Sequence, residues 1–250
     1  MQDPQNIELQ SSPFRGRRGL EAIILAGGLG TRLRTVVADI PKCMAPVAGK
    51  PFLHYVIEHL KKQGVEKFIF SLGFMSEAIV EYLDAQYSIL NIKYSIETEP
   101  LGTGGAIKLA CGKATEKNVL VLNGDTLFSI DLVKLTSFHN MCGADCTLSL
   151  KPMRNFDRYG VVDMNKDYSI SSFREKQYYV QGLINGGVYA LNVSKFLGED
   201  LPEIFSFEKD YLERYTGERR FYGVVQDSYF IDIGIPEDYE RAQRELGIGN

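Results

Sequence analysis

The most informative stretch of this chain reads Leu20-Glu21-Ala22-Ile23-Ile24-Leu25-Ala26 and continues directly into Gly27-Gly28-Leu29-Gly30-Thr31-Arg32-Leu33. The aliphatic run predicts a buried strand. The glycines behind it let backbone N–H groups approach an anion with no Cβ atom in the way. Arg32 adds a planar cation that suits phosphate oxygens, and Lys42 follows in Pro41-Lys42-Cys43-Met44. A glycine turn with two cations predicts a binding site for a triphosphate.

Two stricter phosphate-binding motifs do not fit this turn. The dinucleotide fingerprint needs a third glycine where Leu33 stands, and the P-loop needs a Gly-Lys-Ser/Thr end that is absent. The remaining alternative is a plain glycine turn between a strand and a helix. Arg32 and Lys42 favour phosphate binding over that alternative.

The composition describes an ordinary globular protein without a surplus of positive charge. The chain has 250 residues, of which 44% are hydrophobic and 24% are charged, and its formal net charge is -4. This length suits one large α/β domain, or one domain with a subdomain. The charge gives no general attraction to nucleic acid or to an anionic membrane. We therefore predict no nucleic-acid or membrane partner, and phosphate binding in a locally basic pocket.

The first residues and the cysteines indicate a cytoplasmic protein. Residues 1–19 are polar and lack the apolar core of a secretory signal, so we interpret them as a flexible leader, with a basic docking arm as the alternative. No apolar run has the length of a membrane span. The four cysteines have no paired spacing, and the three histidines do not complete a zinc set. We therefore expect reduced thiols.

Aliphatic runs alternate with helical patterns through the first half of the chain. Four strand-like runs are separated by segments with helical spacing, and they begin at Leu20, Lys67, Ile92 and Asn118. This alternation predicts an α/β layer with a mainly parallel sheet, whose ligands lie beyond the carboxyl ends of the strands. From Cys146 onward, short strand-like runs between turn residues predict antiparallel additions. The sequence contains no internal repeat, so we expect no C-terminal β-helix.

Two aspartates follow apolar runs and stand beside glycines. Asp125 ends the run Leu122-Asn123-Gly124-Asp125, and Asp232 ends the run Tyr229-Phe230-Ile231-Asp232. Each aspartate is either a cap for the next segment or a metal ligand. Two carboxylates at adjacent strand ends could hold one Mg²⁺, which takes few carboxylates and completes its shell with water and phosphate oxygens.

Taken in order, these motifs resemble a known signature. Gly28-x-Gly30-Thr31-Arg32-Leu33 followed by Pro41-Lys42-x-Met44 resembles the signature of the sugar-1-phosphate nucleotidylyltransferases, and the resemblance extends from about Leu20 to Leu246. It implies a Rossmann-like three-layer sandwich of the nucleotide-diphospho-sugar transferase type, similar to the GT-A fold, with a small antiparallel lobe on the acceptor side. It also implies a single domain over 20–250, with a nucleotide-binding half (20–145) and a sugar-phosphate-binding half (146–250).

The resemblance further implies that a sugar 1-phosphate and a nucleoside triphosphate react to give a nucleotide sugar and pyrophosphate, without a protein nucleophile. Arg32 would hold the leaving pyrophosphate, and Lys42 would stabilise charge near the α-phosphate. Asp125 and Asp232 would hold Mg²⁺. The nucleotide-binding residues implied in this way are Leu25, Ala26, Gly27, Gly28, Gly30, Thr31, Glu97, Pro100, Gly102, Thr103, Asn123 and Gly124.

One segment resembles the family segment that borders the nucleobase, and it reads Glu97-Thr98-Glu99-Pro100-Leu101-Gly102-Thr103-Gly104-Gly105-Ala106. Its glycines allow close approach to a flat base, and Thr103 is a candidate N-cap of the following helix. Glu97 matches the place of the polar residue that reads the base. A carboxylate accepts two hydrogen bonds and suits guanine N1–H and N2–H₂, which predicts GTP rather than another nucleoside triphosphate. Glu99 is the alternative reader of the base.

Further segments resemble the family's sugar-phosphate site. In Phe173-Arg174-Glu175-Lys176 the acid would bind a sugar hydroxyl and the lysine would bind the sugar phosphate, whereas the alternative is a surface ion pair. The residues that would line the sugar pocket are Tyr159, Gly160, Asn185 and Gly186. The chain departs from the family at Cys43, where many relatives carry proline.

The motif string is most similar to the guanylyltransferase branch that acts on D-glycero-α-D-manno-heptose 1-phosphate for a bacterial surface polysaccharide or glycoprotein. A guanylyltransferase for mannose 1-phosphate, or a uridylyl- or thymidylyltransferase for another hexose 1-phosphate, is the alternative. A regulatory homologue without catalysis would have lost a metal aspartate or a cation, whereas this chain keeps them. Apolar residues around Phe196 and at 204–207 belong to the core or to an interface, so a homo-oligomer is possible.

Overall fold

The computed structural model describes residues 19–28 and 40–247. Three predicted phosphate-binding residues, Gly30, Thr31 and Arg32, lie outside the described residues, as does the leader before residue 19. The described strands are β1 (Leu20–Leu25), β2 (Pro46–Val47), β3 (Lys50–Pro51), β4 (Val65–Leu72), β5 (Asn91–Ile96), β6 (Asn118–Asn123), β7 (Thr126–Phe128), β8 (Cys146–Phe156), β9 (Val161–Met164), β10 (Ile170–Arg174), β11 (Tyr179–Asn192), β12 (Phe221–Val225) and β13 (Phe230–Asp232).

The helices connect and cover these strands. They are α1 (Phe52–Lys62), α2 (Ser76–Tyr87), α3 (Gly102–Cys111), α4 (Leu132–Cys142), α5 (Val193–Leu197) and α6 (Pro236–Gly247), together with a 3₁₀ turn over Lys42–Met44 and a π-helix over Phe207–Glu213. No helix within the described ranges is long and apolar enough to cross a membrane.

Nine of the described strands form one mixed sheet, in which β1 lies between two parallel neighbours. β1 pairs with β4 and with β6, and β5 extends the sheet beyond β4. The alternation of aliphatic runs and helical segments predicts this parallel part, because a parallel connection needs a crossover. The predicted α/β architecture is confirmed.

The second half of the chain continues the sheet mainly with antiparallel strands. β11 runs antiparallel to β6, with Val188 opposite Leu122, and it also pairs with β8 and β9. β10 pairs with β9 and ends this side of the sheet. The predicted antiparallel additions are confirmed, with one exception: β12 pairs with β8 in the parallel direction. β13 pairs with β7 in a separate two-stranded sheet.

Hydrophobic residues fill both faces of the sheet, because successive side chains of a strand point to opposite sides. Ile24 and Phe70 pack towards α1, α2 and α4, whereas Ile23 and Ile69 pack towards α3 and the π-helix. The result is a three-layer sandwich. Phe196 and the aromatic residues at 205 and 207 are buried and belong to the core. Leu197 and Ile204 are exposed, so for these two residues the alternative of an interface stays a prediction.

One local prediction about α3 is wrong, and one helix, α4, was not predicted. Thr103 does not cap α3, because the N-cap position is Leu101 and no side chain caps this end. The Thr103 hydroxyl instead accepts a hydrogen bond from Phe207 N at 2.9 Å and donates one to Glu208 Oε2 at 2.8 Å. The sequence interpretation also did not include α4, although Asp131 accepts a hydrogen bond from Lys134 N at its start, which is a regular N-cap.

Candidate active site

The predicted site segments meet at one edge of the large sheet, which we name the carboxyl edge. The parallel strands β1, β4, β5 and β6 all end there, so the segments that follow Leu25, Leu72, Ile96 and Asn123 are neighbours. This is the edge at which open α/β sheets bind ligands. The first half of the predicted site therefore lies on a shared rim.

The antiparallel strands bring the second half of the predicted site to the same edge. Val188 pairs with Leu122, so the preceding residues of β11 lie beside the end of β6. Ile184 pairs with Val161 at the start of β9, and Val161 pairs with Arg174 at the end of β10. The predicted sugar-phosphate segments at 159–160, 175–176 and 185–186 thus border one another along the carboxyl edge.

A cavity of about 510 Å³ opens at the carboxyl edge above β1, β4 and β5. Its walls combine most of the predicted nucleotide-binding residues with six others. The predicted ones are Leu25, Gly27, Gly28, Glu97, Pro100, Gly102 and Thr103. The additional ones are Ser71, Gly73, Phe74, Thr98, Glu99 and Ala106, of which Glu99 was the alternative reader of the base. The end of β4 obeys the same carboxyl-end rule as β1, which is the signal that predicts Ser71 to Phe74.

Three predicted nucleotide-binding residues lie beside the cavity and not in its wall. Ala26 is buried, and its N–H donates to Ser71 O at 2.8 Å. Gly124 N donates to Leu25 O at 2.8 Å, which joins the turn after β6 to the end of β1. A Cβ atom on Gly187 would lie 3.0 Å from Asn123 Nδ2, so Asn123 borders the glycine turn of β11.

Glu97 is held in place by the backbone around it. Its N–H donates to Leu72 O at 2.8 Å, and its Oε2 accepts a hydrogen bond from Leu101 N at 2.8 Å. Its other oxygen, Oε1, faces the cavity glycines, since a Cβ atom on Gly27 or Gly73 would lie 3.0 or 3.2 Å from it. Glu97 therefore presents an oriented carboxylate to a ligand, whereas Glu99 is exposed.

Lys42, Asp125 and Asp232 form one charged cluster next to this cavity. Lys42 Nζ lies 2.5 Å from Asp125 Oδ2 and 3.5 Å from Asp232 Oδ1. β7 begins directly after Asp125, and Asp232 pairs with Thr126 across β13 and β7. Ile233 N donates to Asp125 O at 3.1 Å, which fixes the two aspartate segments to each other. The two aspartates predicted to hold a metal are thus brought together around one cation.

The electrostatics of this cluster fit a divalent metal ion. Burial and the nearby charge of Asp125 raise the pKa of Asp232, whereas Lys42 and the N–H of Gly234 oppose this rise. Two hard carboxylate oxygens that repel each other suit Mg²⁺, which needs only one or two carboxylates when substrate phosphates complete its shell. Within residues 19–28 and 40–247 no larger cluster of His, Cys, Asp or Glu could hold a metal.

Cys43 departs from the family pattern without adding a reactive group. Its thiol is buried beside Lys42, and burial raises its pKa to about 12. A thiol with so high a pKa is a poor nucleophile at neutral pH. None of the four cysteines forms a disulfide, so the expected reduced thiols agree with the structure.

The predicted sugar-phosphate residues divide into a group that is at least half-buried and an exposed group. Tyr159 packs edge-to-face on Phe230, and burial raises its pKa to about 12. A Cβ atom on Gly160 would lie 2.4 Å from Arg174 O, so this glycine permits the close contact between β9 and β10. Glu175 and Lys176 are exposed, and among the described residues neither has an ion-pair partner.

Asn185 and Gly186 lie at an irregularity in β11. The register with β8 shifts between Asn185 and Tyr189. The Asn185 side chain donates to Tyr189 Oη at 2.8 Å and accepts from Gly187 N at 3.0 Å. A Cβ atom on Gly186 would lie 2.4 Å from the Phe128 ring, so no larger residue fits there. Such bulges redirect side chains next to functional sites.

Arg158 is a cation near the site that the sequence interpretation did not name. Its guanidinium donates to Asp238 at the start of α6 and lies 5.4 Å from the centre of the Tyr159 ring. Its charge opposes the rise in the pKa of Asp232 that burial and Asp125 cause, and thereby supports the ionised carboxylate. Its position directly before the predicted Tyr159-Gly160 segment is the sequence signal that indicates it.

A cavity beside a lysine and two aspartates is the arrangement that the sequence predicts for a nucleotidyltransferase, and comparison with known proteins supports this class. The chain belongs to the Nucleotidyl transferase family, whose profile matches residues 21–247. It is 54% identical over 227 residues to the D-glycero-alpha-D-manno-heptose 1-phosphate guanylyltransferase of Aneurinibacillus thermoaerophilus, which covers 91% of this chain and 98% of that protein.

Two further relatives agree with this assignment. The protein of the same description from Campylobacter jejuni subsp. jejuni serotype O:2 is 48% identical over 220 residues, covering 88% of this chain and 97% of that protein. The crystal structure of HddC from Yersinia pseudotuberculosis complexed with GMP-PN is similar with a TM-score of 0.82 and 38% identity, covering 91% of this chain and 99% of that one. The prediction of a sugar-1-phosphate nucleotidyltransferase is confirmed.

Proposed function

We propose that this protein transfers the guanylyl group of GTP to D-glycero-α-D-manno-heptose 1-phosphate. The products are GDP-heptose and pyrophosphate, and the GDP-heptose serves synthesis of a bacterial surface polysaccharide or glycoprotein glycan. The 54% identity to a heptose 1-phosphate guanylyltransferase, over nearly the full length of that protein, carries this proposal. The oriented carboxylate of Glu97 in the cavity wall supports guanine independently.

The reaction is an in-line displacement at the α-phosphorus of GTP. An oxygen of the sugar phosphate forms a bond to the α-phosphorus, and the bond from the α-phosphorus to the oxygen that bridges to the β-phosphorus breaks. Pyrophosphate leaves with that oxygen. No protein nucleophile takes part, so positioning and electrostatic stabilisation supply the catalysis.

The charged cluster offsets the repulsion between the two anionic substrates. Lys42 is placed by the 3₁₀ turn and stabilises charge that develops at the α-phosphate. Asp125 and Asp232 are the residues that would hold Mg²⁺, which supplies charge neutralisation at the α-phosphate when it is bound. Arg32 is proposed, from the family resemblance alone, to hold the pyrophosphate.

The remaining predicted residues are proposed to bind the two substrates. Glu97 accepts hydrogen bonds from guanine N1–H and N2–H₂. Around the nucleotide, the residues with backbone or short side chains near the ligand are Leu25, Ala26, Gly27, Gly28, Gly30, Thr31, Pro100, Gly102, Thr103, Asn123 and Gly124. Lys176 binds the sugar phosphate and Glu175 binds a sugar hydroxyl. Tyr159, Gly160, Asn185 and Gly186 border the sugar ring. The exposure of Glu175 and Lys176 leaves both groups available to a ligand.

We further propose a cytoplasmic location, because nucleoside triphosphates and sugar phosphates are cytoplasmic metabolites and the four thiols are free. The leader over 1–19, the single domain over 20–250 with its two halves, and a homo-oligomer remain predictions. A molar mass from light scattering tests the oligomer.

A substrate panel tests the proposed function. Purified protein with Mg²⁺ is given GTP, ATP, CTP, UTP or dTTP, each paired with heptose, mannose or glucose 1-phosphate, and pyrophosphate release is recorded. We expect release with GTP and the heptose. Release with UTP or dTTP instead would contradict the guanine assignment and keep the reaction. A folded protein that releases no pyrophosphate but binds a nucleotide sugar would be a regulatory homologue.

A further inference from the structure

Two buried serine hydroxyls in the sheet have no hydrogen-bond partner among the described residues. Ser71 on β4 is 1% exposed and Ser95 on β5 is 0% exposed, and neither Oγ atom has a partner within residues 19–28 and 40–247. The two residues pair across β4 and β5, and Ser71 also pairs with Leu25 on β1. Cα partners in a parallel sheet point to the same face, so all three side chains lie in one row. A buried hydroxyl without a partner is unfavourable, and it calls for an explanation.

The next row of residues on the same face of the sheet gives the two serines different surroundings. Two residues further along the chain stand Gly27, Gly73 and Glu97, just beyond the ends of β1, β4 and β5. Gly27 and Gly73 have no side chain, so the row beneath them is open, and Leu25 and Ser71 form part of the cavity wall. The side chain of Glu97 stands above Ser95, which does not line the cavity. Of the two matched serines, Ser71 is thus part of the cavity wall and Ser95 is not.

Ser71 and Glu97 border the same corner of the cavity. A Cβ atom on Gly73, directly above Ser71, would lie 3.2 Å from Glu97 Oε1. A group that reaches the Glu97 carboxylate therefore lies over Ser71 as well. In the proposed function, the Glu97 carboxylate accepts hydrogen bonds from guanine N1–H and from one hydrogen of the 2-amino group. Two polar atoms on the same edge of the base remain, namely the second hydrogen of the 2-amino group and O6.

We propose that the Ser71 hydroxyl hydrogen-bonds the edge of the guanine base that Glu97 reads, so that Ser71 is a second base-specificity residue. The inference rests on the proposed use of GTP. A hydroxyl both donates and accepts, so it pairs either with O6 or with the 2-amino group. The ligand supplies the partner that the Ser71 Oγ lacks in the protein alone.

The test compares Ser71→Ala with the matched control Ser95→Ala. Each variant loses one buried, unpartnered hydroxyl, so we expect both to fold and to melt at or above the temperature of the unchanged protein. With GTP, we expect kcat/KM of Ser71→Ala to fall about threefold to tenfold, mainly through KM, as for the loss of one neutral hydrogen bond. Ser95→Ala should retain the value of the unchanged protein within about twofold.

Two nucleotide analogues identify the contacted atom. ITP lacks the 2-amino group, and 6-thio-GTP carries sulfur in place of O6. For each analogue, kcat/KM of the unchanged protein is divided by kcat/KM of Ser71→Ala. This ratio should fall to about one with the analogue that lacks the atom contacted by Ser71, because the hydroxyl then has nothing to bind. The ratio should stay near its GTP value with the other analogue.

Two results would overturn the inference alone. One is a Ser71→Ala enzyme that uses GTP as well as Ser95→Ala does. The other is an equal loss with GTP and both analogues, which would mean that Ser71 acts on cavity shape and not on the base edge. An unchanged protein that uses a different triphosphate in the substrate panel would instead refute the use of GTP, before any variant is measured.

Discussion

The Nζ atom of Lys42 contacts the carboxylates of both Asp125 and Asp232, so three charged side chains meet at one point of the site. The cation lies 2.5 Å from Asp125 and 3.5 Å from Asp232. Their side chains are 18%, 30% and 25% exposed, so solvent screens these charges less than it would on an open surface. A change of one charge here should therefore alter catalysis more than stability.

Replacing Asp125 by asparagine removes one carboxylate and preserves the shape of the side chain. We expect kcat to fall by about 10²–10³ while the protein stays folded, because one preorganised charge is lost. The control is Asp227→Asn, since the Asp227 side chain is 73% exposed and its ion pair with Lys151 should contribute little. Steady-state kinetics and circular dichroism check both variants. Near-normal turnover of a folded Asp125→Asn enzyme would contradict the metal assignment.

Gly234 makes a second, steric prediction for the same cluster. A Cβ atom at this position would lie 2.8 Å from Asp232 Oδ1 and 2.9 Å from Lys42 Nζ. We expect Gly234→Ala to lower kcat at least about tenfold and to raise the Mg²⁺ concentration for half-maximal activity, because the groups that meet there must move apart. Gly112→Ala is the control. A Cβ atom at this position would also meet a close neighbour, Leu109 O at 3.2 Å, but Gly112 follows α3 and is remote in sequence from Lys42, Asp125 and Asp232. An unchanged metal titration would refute this account.

At the residue scale, a polar residue just after an aliphatic run was the sequence signal for residues that the structure brings together. Asp125 and Asp232 could be recognised in this way, since strand ends meet at one edge of a sheet. The hydrogen bond that orients Glu97 could not be predicted, because Leu101 N reaches Oε2 only through the local path of the loop. Arg158 was missed because its partner, Asp238, is distant in the sequence.

At the scale of elements, α3 and the π-helix are joined closely behind the cavity. Cβ atoms on Gly104 and Gly105 would lie 2.1 Å from the Phe205 ring and 2.4 Å from Glu203 O, so both glycines permit close packing of the 203–205 segment on α3. Thr103 completes the junction with two hydrogen bonds to the start of the π-helix. The cavity wall at α3 is therefore supported from outside by the second half of the chain.

Thr103→Val tests this junction. The change keeps the shape of the side chain but leaves Phe207 N without its acceptor, so we expect the free energy of unfolding to fall by about 1–2 kcal/mol. Thr103→Ser is the matched control, because it keeps the hydroxyl and should lose clearly less. Urea denaturation followed by circular dichroism measures both values. Equal losses in the two variants would show that the methyl group matters and the hydrogen bonds do not.

The order of elements was predictable, and some of their partners were not. Alternating aliphatic runs and helical segments predict β1, β4, β5 and β6 and their parallel pairing. The parallel pairing of β12 with β8 joins residues far apart in the chain, and no local pattern specifies it. Periodicity reports which face of an element is buried, but it does not report which neighbour covers that face.

At the scale of the whole molecule, buried histidines should make stability depend on pH. His139 is 1% exposed, and its Nδ1 lies 2.9 Å from Thr147 Oγ1. Burial lowers its pKa to about 4, with Asp145 opposing the shift and Lys117 adding to it. The unfolded chain therefore binds a proton at a higher pH than the folded chain does. Stability is complete above the unfolded pKa and falls as the pH drops towards 4.

We expect the free energy of unfolding to fall by about 2 kcal/mol between about pH 7 and about pH 5 through His139. His139→Gln, which can still hydrogen-bond Thr147, should show a shallower dependence. Some dependence should remain, because burial also lowers the pKa of His54 and His59. Urea titrations at the two pH values give the comparison. A variant with the same slope as the unchanged protein would exclude His139 as the source.

The pairing of β13 with β7 has a consequence for how the enzyme comes into being on the ribosome. This pairing helps to bring Asp232 beside Asp125, and Asp232 is translated long after the strands that line the cavity. A nascent chain that has emerged only as far as β11 already carries Glu97 and Lys42, but it lacks the second carboxylate. In the proposed mechanism, the enzyme therefore becomes active only after β13 has been translated and has paired with β7.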